Sequence, residues 1–383
     1  MSLMTENALD ALVKHSSPNS VSIWMPAHRA GAEIRQDPIR MKNLLTRAEE
    51  QMTAVGMRSA EARERLAEAR TLTEDADFWR HQSAGLGVLA GGGPPEVIRL
   101  PVAAPELVVV SDGYHLRPLF ATPRPDERFY LLVLGKQAVR LYRADRFDIE
   151  PMNLPDAPAS FTEFIRFDDP ERHLDFHTGT AGHQPAADRP AVFHGQGAGG
   201  DESWEKARQA DFCRQVDAAV VKALYGEDAP LLLAGAEPLA GLYGDVSSCP
   251  QLDDRVVSMD PDQTKPKDLH RRAVDLLAED FERPVRQAAD RYRQARGSGM
   301  AVGDLAAVLR GASAKAIETL LVSAGPPRWG RFEDADGGVE RHDEQEPGDE
   351  DLLNRAAVLA ARGGARVYAV DPEKLPDESD RKS

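Results

Sequence analysis

Apolar positions follow two different periods along this chain. Short apolar runs rich in β-branched side chains predict strands at residues 21–26, 85–90, 97–101 and 107–110. Apolar residues at three- to four-residue spacing predict helices at 5–14, from Pro38 to about residue 52, and at 59–69. Since strands and helices are mixed here, we predict an N-terminal α/β domain over residues 1–122.

The middle of the chain begins with a hairpin pattern. A polar, proline-rich link at 122–127 precedes two apolar runs, 129–134 and 138–143, which flank Gly135-Lys136-Gln137. Residues 147–152 predict a third strand, and 230–235 predict another. A second link rich in Asp and Pro lies at 258–267. We therefore predict further domains at residues 123–260 and 261–383.

The third predicted domain starts with the longest helical pattern of the chain. Its apolar stripe includes Leu269, Leu277 and Phe281 and continues past Pro284. Proline removes a backbone donor and crowds the carbonyl group four residues earlier, so we expect the helix to kink or restart there. Later patterns predict a strand at 319–323, a hairpin around Gly337-Gly338, a helix at 350–362 and a last strand at 366–370.

Composition narrows the class of protein. The 383 residues suit two or three domains, and the net charge of −16 argues against a protein that coats nucleic acid by charge alone. The charge is nearly balanced over residues 1–100 and acidic over 327–383. Two groups of residues are candidate RNA contacts: Arg35, Arg40, Lys42 and Arg47, and His28 with Arg29. For the first group we favour a solvated helix face, and for the second we favour ordinary loop hydrogen bonds.

The expected cellular location rests on two sequence patterns, those of membrane-spanning segments and of secretory signals. No stretch is apolar for the length that a membrane span needs, and the first residues have no secretory-signal pattern. Two cysteines, Cys213 and Cys249, do not make a disulfide framework, and we expect Cys213 to be a small buried apolar residue. We therefore expect a cytoplasmic protein with no membrane partner. The oligomeric state stays open.

One stretch combines a glycine-rich loop with a long helix. An apolar run at 191–193 is followed by His194-Gly195-Gln196-Gly197 and by Gly199-Gly200. These glycines allow positive φ and keep the backbone thin around the glutamine, so we expect a mobile loop. Asp201 can accept hydrogen bonds from the start of the helix that follows. The buried face of that helix is predicted from spacing at Phe212, Val216, Ala219, Val220 and Leu224.

This loop and helix resemble the glycine-glycine-glutamine loop of the archaeo-eukaryotic peptide-chain release factors. In that family a glutamine between glycines enters the ribosomal peptidyl transferase centre, and a long helix follows it. Gly195, Gln196 and Gly197 match the second glycine, the glutamine and the residue after it, whereas His194 stands in place of the first glycine. The strand at 21–26 with Pro26, His28 and Arg29 also resembles the bacterial relatives of these factors, of the family 3 type.

The resemblance implies a fold and partners. The middle domain would be ribonuclease-H-like, with three antiparallel strands followed by helices and parallel strands. The C-terminal domain would resemble kink-turn-binding ribosomal proteins. Because residues 376–383 are short and polar, we expect the closing strand usual in that family to be missing. The implied partners are the ribosome with its tRNA and rRNA, and the implied catalytic residues are Gln196, Gly195 and Gly197. No cofactor is implied.

The sequence gives only weak indications of a metal site, a nuclease or a nucleotide-binding loop. Histidines and carboxylates between residues 168 and 183 suggest a metal site, but without a His-Glu-x-x-His pattern we favour solvated loop residues and expect no metal: His173, His177, His183, Asp168, Asp169, Glu171 and Asp175. The strand pair 129–134 and 138–143 carries no carboxylate, which argues against a two-metal nuclease. The glycine run at 91–93 lacks the Lys-Ser/Thr of a nucleotide-binding loop.

Three functions remain open from the sequence. In the first, the chain is a peptidyl-tRNA hydrolase that acts on stalled ribosomes, and Gln196 positions the attacking water or the product oxygen. Alternatively it is a non-catalytic ribosome- or RNA-binding module in which His194 blocks the loop, or a protein-interaction module that uses its acidic C-terminal domain. The protein is an enzyme only under the first of these three hypotheses.

Overall fold

The fold is taken from a computed structural model that describes residues 6–29, 31–122, 127–168 and 199–376. The chain forms two compact units. The first combines residues 1–125 with residues 282–383, and the second consists of residues 126–281. The first unit is therefore built from two pieces that are distant in sequence, and each unit is described below by itself.

The elements follow each other in chain order. The first piece of unit 1 contains α1 (Glu6–Lys14), β1 (Ser20–Pro26), α2 (Asp37–Ala54), α3 (Ser59–Arg65), α4 (Ala67–Thr71), α5 (Ala76–Arg80), β2 (Gly85–Ala90), β3 (Glu96–Leu100), β4 (Leu107–Ser111) and α6 (Arg117–Phe120). Unit 2 contains β5 (Phe129–Leu134), β6 (Val139–Ala144), β7 (Ile149–Met152), α7 (Phe161–Asp168), α8 (Gly199–Ala223), β8 (Leu231–Gly235), α9 (Leu239–Val246) and β9 (Leu252–Ser258). Helix α10 (Pro266–Arg296) begins in unit 2 and ends in unit 1, which continues with α11 (Leu305–Ser313), β10 (Thr319–Ser323), β11 (Trp329–Glu333), β12 (Gly338–His342), β13 (Glu350–Asp351), α12 (Leu352–Arg362) and β14 (Arg366–Val370).

The main sheet of unit 1 is buried on both faces. Its strands run in the order β3-β2-β1-β4 and are antiparallel throughout. Alternate residues of a strand point to opposite faces. Accordingly Val21, Ile23 and Met25 of β1 pack with α2, whereas Trp24 belongs to a second core on the other face. The two-sided burial explains why β2 and β4 are continuous apolar runs.

The C-terminal piece of the chain supplies the cover for that second face. One core combines Trp24 and Val109 of the sheet with Leu309, Leu352 and other residues of α11 and α12. This piece also carries a parallel pair, β10-β14, and an antiparallel sheet in the order β12-β11-β13. The N- and C-terminal pieces thus share one hydrophobic core.

Unit 2 is built on a five-stranded mixed sheet in the order β7-β6-β5-β8-β9. Strands β5, β6 and β7 pair antiparallel, and β8 and β9 continue the sheet parallel to β5. Tyr130 and Leu132 of β5 face a core formed with α8 and α9, whereas Leu131 and Val133 face Leu269 and other residues of α10. The sheet therefore lies between two helical layers.

Local patterns predicted most of these elements, with two corrections. The structure confirms the hairpin β5-β6 and the strands β1, β2, β4, β8, β10 and β14 near their predicted limits. The helix expected at 59–69 is instead two helices, α3 and α4, separated at Leu66, which is fully buried. The prediction of a restart at Pro284 is wrong, because α10 is helical over 31 residues through Pro284, whereas the alternative of a kink there stays a prediction. Buried residues before and after the proline, such as Leu277, Phe281 and Ala288, hold the helix in place.

Candidate functional site at the base of residues 169–198

The predicted catalytic loop lies outside the described residues. This holds for Gly195, Gln196, Gly197 and His194, for the expected mobility of that loop, and for the histidines His173, His177 and His183 of the suggested metal site. The structure describes the helices on either side. Helix α7 leads into the segment and ends at Asp168, and α8 follows it from Gly199.

Helix α8 is fixed to the sheet of unit 2 by one apolar face. Phe212, Val216, Val220 and Leu224 are fully buried and recur at four-residue spacing. They belong to the same core as Leu132 of β5 and Leu231 and Leu233 of β8. This confirms the buried face predicted from spacing. The helix that follows the glutamine-bearing segment is therefore rigidly held over its C-terminal half.

Three phenylalanine rings join α7 to α8. Phe212 of α8 makes edge contacts with Phe161 and Phe164 of α7, at ring-centroid distances of 5.4 and 5.7 Å. The two rings of α7 stack at 6.4 Å. The hydroxyl of Ser160 accepts a hydrogen bond from Glu163 N at 3.0 Å and so caps α7. Aromatic pairs contribute about 0.5–1.5 kcal/mol each beyond area burial, so the helices that bracket the segment are packed together.

The first described side chains of α8 form a polar surface. The Arg208 guanidinium lies 5.2 Å above the Trp204 ring, which is a cation–π distance. Gln209 donates a hydrogen bond to Glu205 at 3.2 Å. Lys206 is exposed beside them. This end of α8 thus carries an aromatic ring and two cations next to the segment that bears Gln196.

A buried carboxylate locks α8 to the end of α9. Asp217 is 4 % exposed and accepts hydrogen bonds from the Tyr243 hydroxyl at 3.1 Å, the Ser247 hydroxyl at 2.6 Å, and Ser248 N and Oγ at 2.8 and 2.7 Å. Burial and the Asp217 charge raise the pKa of Tyr243, so its hydroxyl stays a donor. The sequence analysis did not predict a role for Asp217. The one indication in the sequence is that this polar residue follows Val216 within the apolar face of the helix.

Both cysteines of this unit are buried, free thiols. Burial raises the pKa of Cys213 to about 12, and burial also raises the pKa of Cys249. Both are therefore neutral thiols at physiological pH. Cys213 packs beside Phe212 in the core, as its predicted role as a small apolar residue requires. Within the residues that the structure describes, no group of three or more His, Cys, Asp or Glu is placed to hold a metal ion.

The basic residues of unit 1 divide into paired and unpaired ones. His28 contacts the buried carboxylate of Asp37 through Nδ1 at 2.9 Å, and Arg40 bonds the same carboxylate at 2.9 Å. Arg29 donates to the Ser83 hydroxyl at 2.9 Å. His28, Arg29 and Arg40 thus have structural partners. This agrees with the interpretation of His28 as a residue that makes a hydrogen bond within its loop. Across the described ranges, Arg35, Lys42 and Arg47 form no ion pair.

The length and hydropathy of the helices bear on membrane insertion. Among the helices that the structure describes, none is both long and apolar enough to cross a bilayer.

The comparisons with known proteins bear on the segment that contains this site. A family model described as bacterial archaeo-eukaryotic release factor family 7 matches residues 129–279. No curated protein matches. Two solved structures are similar over most of their length: an "Archaeal protein" with 12 % identity, 96 % and 91 % coverage of this chain and that one, and a TM-score of 0.25, and "archaeal translation termination factor, aRF1" with 14 % identity, 95 % and 90 % coverage, and a TM-score of 0.22.

These TM-scores are too low to establish a common fold, so the family match carries the conclusion. It is to family 7, and the family 3 type expected from the sequence is not confirmed. Residues 129–279 include β5 to β9, the helices α7 and α8, and the segment between them. Over residues 129–279, this chain is similar to the bacterial archaeo-eukaryotic release factors of family 7.

Proposed function

We propose that this protein acts on ribosomes as a release-factor-like hydrolase that frees nascent peptide from peptidyl-tRNA on stalled complexes. One observation carries the proposal. Gln196 stands between Gly195 and Gly197 within the residues matched by the release-factor family model, directly before a helix that is anchored to the sheet. A thin, polar loop on a rigid support is the arrangement that entering a narrow catalytic centre requires.

The proposed chemistry needs little from the protein beyond the glutamine. The Gln196 amide and the loop backbone would position the attacking water or the leaving oxygen by hydrogen bonds, while the ribosome supplies most of the electrostatic stabilisation. This division fits the described part of unit 2, in which Cys213 and Cys249 are neutral thiols. The aromatic and cationic surface at Trp204 and Arg208 supports an RNA-facing role for the same end of α8.

A second candidate is a ribosome-binding module without catalysis. His194 supports it, because a side chain replaces the hydrogen of the first family glycine and restricts the backbone there. In this alternative the unit 2 fold binds the ribosome or its RNA while the loop does not reach the catalytic geometry.

We also propose a domain architecture, partners and a cellular location for this protein. Three antiparallel strands followed by parallel ones support a ribonuclease-H-like middle domain. We propose this domain over residues 123–260, between domains at 1–122 and 261–383 whose residues 1–125 and 282–383 pack into one compact unit. The mixed α and β content of the last part is compatible with a domain resembling kink-turn-binding ribosomal proteins. Ribosomal RNA and tRNA are the proposed partners, and the cytoplasm is the proposed location.

A peptide-release assay on stalled ribosomes tests the proposal. We expect the wild type to release peptide and Gln196→Ala to lose on the order of a hundredfold in rate, because a misplaced group in a positioned reaction costs about that much. Gln215→Ala is the matched control: Gln215 is an exposed glutamine on α8, and its replacement should leave release unchanged.

Ribosome co-sedimentation of the same proteins separates the two candidates. Equal binding of wild type and Gln196→Ala with release only by wild type supports the hydrolase. Binding without release by any variant, including His194→Gly, which restores the pair of glycines, contradicts catalysis and supports the binding module. If His194→Gly releases faster than wild type, His194 restrains a competent loop.

A further inference from the structure

The part of α10 that belongs to unit 1 is strongly basic. Residues 283–296 contain five arginines and one acidic residue, Asp290, whereas the whole chain has a net charge of −16. All five arginines are exposed: Arg283, Arg286, Arg291, Arg293 and Arg296. A local surplus of positive charge in an acidic protein is complementary to a polyanion.

Three of these arginines share one face of the helix, which we call the arginine face. Arg283, Arg286 and Arg293 lie at positions i, i+3 and i+10, and this spacing brings side chains to one side of an α-helix. They extend over about 15 Å at the helical rise of about 1.5 Å per residue. Ala288, on the opposite side of the helix, is buried. The arginine face is therefore a row of charges on a helix that is packed against unit 1 from behind.

Two arginines of this face have little compensation from within the protein. Across the described ranges, Arg286 forms no ion pair or hydrogen bond. Arg293 bonds Asp290 at 2.7 Å, but both side chains are 57 % exposed, and exposed pairs of this kind contribute little. The neighbouring Arg291 comes only within 4.0 Å of Glu318, which is itself exposed. The positive potential of this surface is thus directed towards solvent.

The helix dipole explains only part of this composition. Cations are favoured in the last turn of a helix, where Arg293 and Arg296 lie, but Arg283 and Arg286 precede that turn. All the cations of residues 283–296 are arginines, and none is a lysine. A guanidinium group binds phosphate oxygens through two parallel hydrogen bonds and stacks on planar rings. The residue type therefore indicates a nucleic acid among the possible polyanions.

An exposed apolar loop follows the basic part of α10 directly. Met300 and Val302 are 81 % and 48 % exposed. The loop is fixed at both ends, because the Ser298 hydroxyl bonds a carbonyl group of the last turn of α10 at 2.8 Å and the Asp304 carboxylate caps α11. Unpaired bases offer planar faces that pack against such side chains, whereas a fully paired helix does not.

We propose that the arginine face and the loop at 297–303 form a surface that binds RNA with unpaired bases. The arginines bind phosphates, and Met300 packs against a base that is turned out of its stack. A membrane is a poorer fit, because helices that lie on a membrane insert a broad apolar face, and the side of α10 opposite the arginines is buried at Ala288. The surface lies in unit 1 and outside the family match at 129–279, so it is independent of the proposed hydrolysis.

Fluorescence anisotropy of a labelled stem-loop RNA, titrated with the full-length protein in about 0.1 M NaCl, measures the binding. We expect saturation, and Arg286→Gln combined with Arg293→Gln should weaken binding about tenfold, because two phosphate contacts are lost. The dependence of log Kd on log salt should also become shallower by about one unit for each lost arginine. The matched control is Lys42→Gln combined with Arg47→Gln, which removes the same charge from exposed positions of α2 and should leave affinity and slope unchanged.

Met300→Ser tests the apolar part of the surface. It should weaken binding of the stem-loop RNA by about threefold with an unchanged salt dependence, and it should leave binding of a fully paired RNA duplex unchanged. Ile39→Ser is the control, because Ile39 is 54 % exposed on α2 and should not affect either RNA.

Several results would overturn the proposal: equal weakening by the two double variants, an unchanged salt dependence in Arg286→Gln with Arg293→Gln, or tighter binding to phosphatidylserine vesicles or polyglutamate than to RNA. Gln196→Ala should bind the stem-loop RNA as the wild type does, so a failure of peptide release and a failure of RNA binding are separate results. Circular dichroism confirms that each variant is folded.

Discussion

At the residue scale, Asp217 shows how a single carboxylate holds the helix behind the proposed catalytic loop. The carboxylate accepts four hydrogen bonds from Tyr243, Ser247 and Ser248, and it does so while buried. A buried charge is stable only when such donors surround it. The rigidity of α8 therefore depends on a polar residue within an apolar face.

We expect Asp217→Asn to lower the free energy of unfolding by about 2–4 kcal/mol, because an amide group loses the charge and presents donors to Ser248 Oγ and N. Urea denaturation followed by circular dichroism measures this change. The control is Asp211→Asn on the same helix. Its exposed pair with Arg214 should contribute no more than about 0.5 kcal/mol. Equal effects of the two variants would contradict the role of Asp217.

A second residue-scale prediction concerns pH and His342. The hydrogen bond to Asp349, together with the nearby carboxylates of Glu346 and Glu340, raises the pKa of His342 above its ordinary value of 6.5. Arg331 opposes this from β11, through its contacts with Asp349 and Glu340. A raised folded-state pKa stabilises the fold fully below pH 6.5, and this stabilisation is lost as pH rises through the folded pKa.

His342→Gln should therefore unfold at a lower temperature than wild type at pH 5.5, and the difference should shrink as pH rises to 8. Thermal unfolding at several pH values measures it. The control is His81→Gln, because His81 is exposed and its approach to Asp77 is 3.7 Å. A difference between wild type and His342→Gln that is constant with pH would contradict a protonated His342 in the folded protein.

At the scale of elements, α10 shows tertiary packing overriding a local breaker. Proline costs roughly 3 kcal/mol in a helix interior relative to alanine. The apolar residues Leu269, Leu277 and Phe281 are buried before Pro284, and Ala288 and Ala289 are buried after it. Burial on both sides offsets the lost backbone hydrogen bond, so the helix continues.

Pro284→Ala should therefore raise the free energy of unfolding by about 1–3 kcal/mol, because it gives the Asp280 carbonyl group its helical donor and removes the ring. Chemical denaturation of the full-length protein tests this. Glu279→Ala, an exposed replacement on the same helix, should change stability by less than about 0.5 kcal/mol. Destabilisation by Pro284→Ala would show that the ring itself makes a necessary contact.

At the scale of the whole chain, the most consequential feature is the union of the N- and C-terminal pieces in unit 1. The buried Asp351 contacts His115 at 3.0 Å and Arg117 at 3.1 Å. Burial alone raises the pKa of Asp351, but the His115 hydrogen bond and the Arg117 charge outweigh it and lower that pKa. Burial lowers the pKa of His115, whose Nδ1 is buried without a partner among the described residues, so we assign a neutral ring that donates from Nε2.

Asn354 gives this union a direct test. Its side-chain oxygen accepts the N–H groups of Leu116 and Arg117 at 2.7 and 3.0 Å, and its nitrogen donates to Tyr114 O at 3.2 Å. We expect Asn354→Ala to cost about 2–4 kcal/mol of unfolding free energy, because two buried donors lose their acceptor. The exposed Asn43→Ala on α2 is the control, with an expected change below about 0.5 kcal/mol. Urea unfolding of both proteins measures the difference.

The sequence by itself determined the local elements. Period-two and period-3.6 patterns depend on neighbouring residues, so the hairpin β5-β6, the buried face of α8 and the last helix and strand were predictable. It also showed Gln196 between glycines ahead of a long helix, and a resemblance to release factors that the family match supports over residues 129–279. These are properties of short stretches, which a single chain displays directly.

Tertiary structure alone decided what depends on residues far apart in the chain. Nothing local indicates that β1 is covered on its second face by α11 and α12, that Asn354 binds the backbone beside His115, or that Gln51 of α2 reaches Gln345 between β12 and β13. The physical reason is that periodicity records which face of an element is buried and not what buries it. The partner is selected by packing and hydrogen bonding summed over the whole folded chain, and that selection leaves no periodic pattern in the sequence.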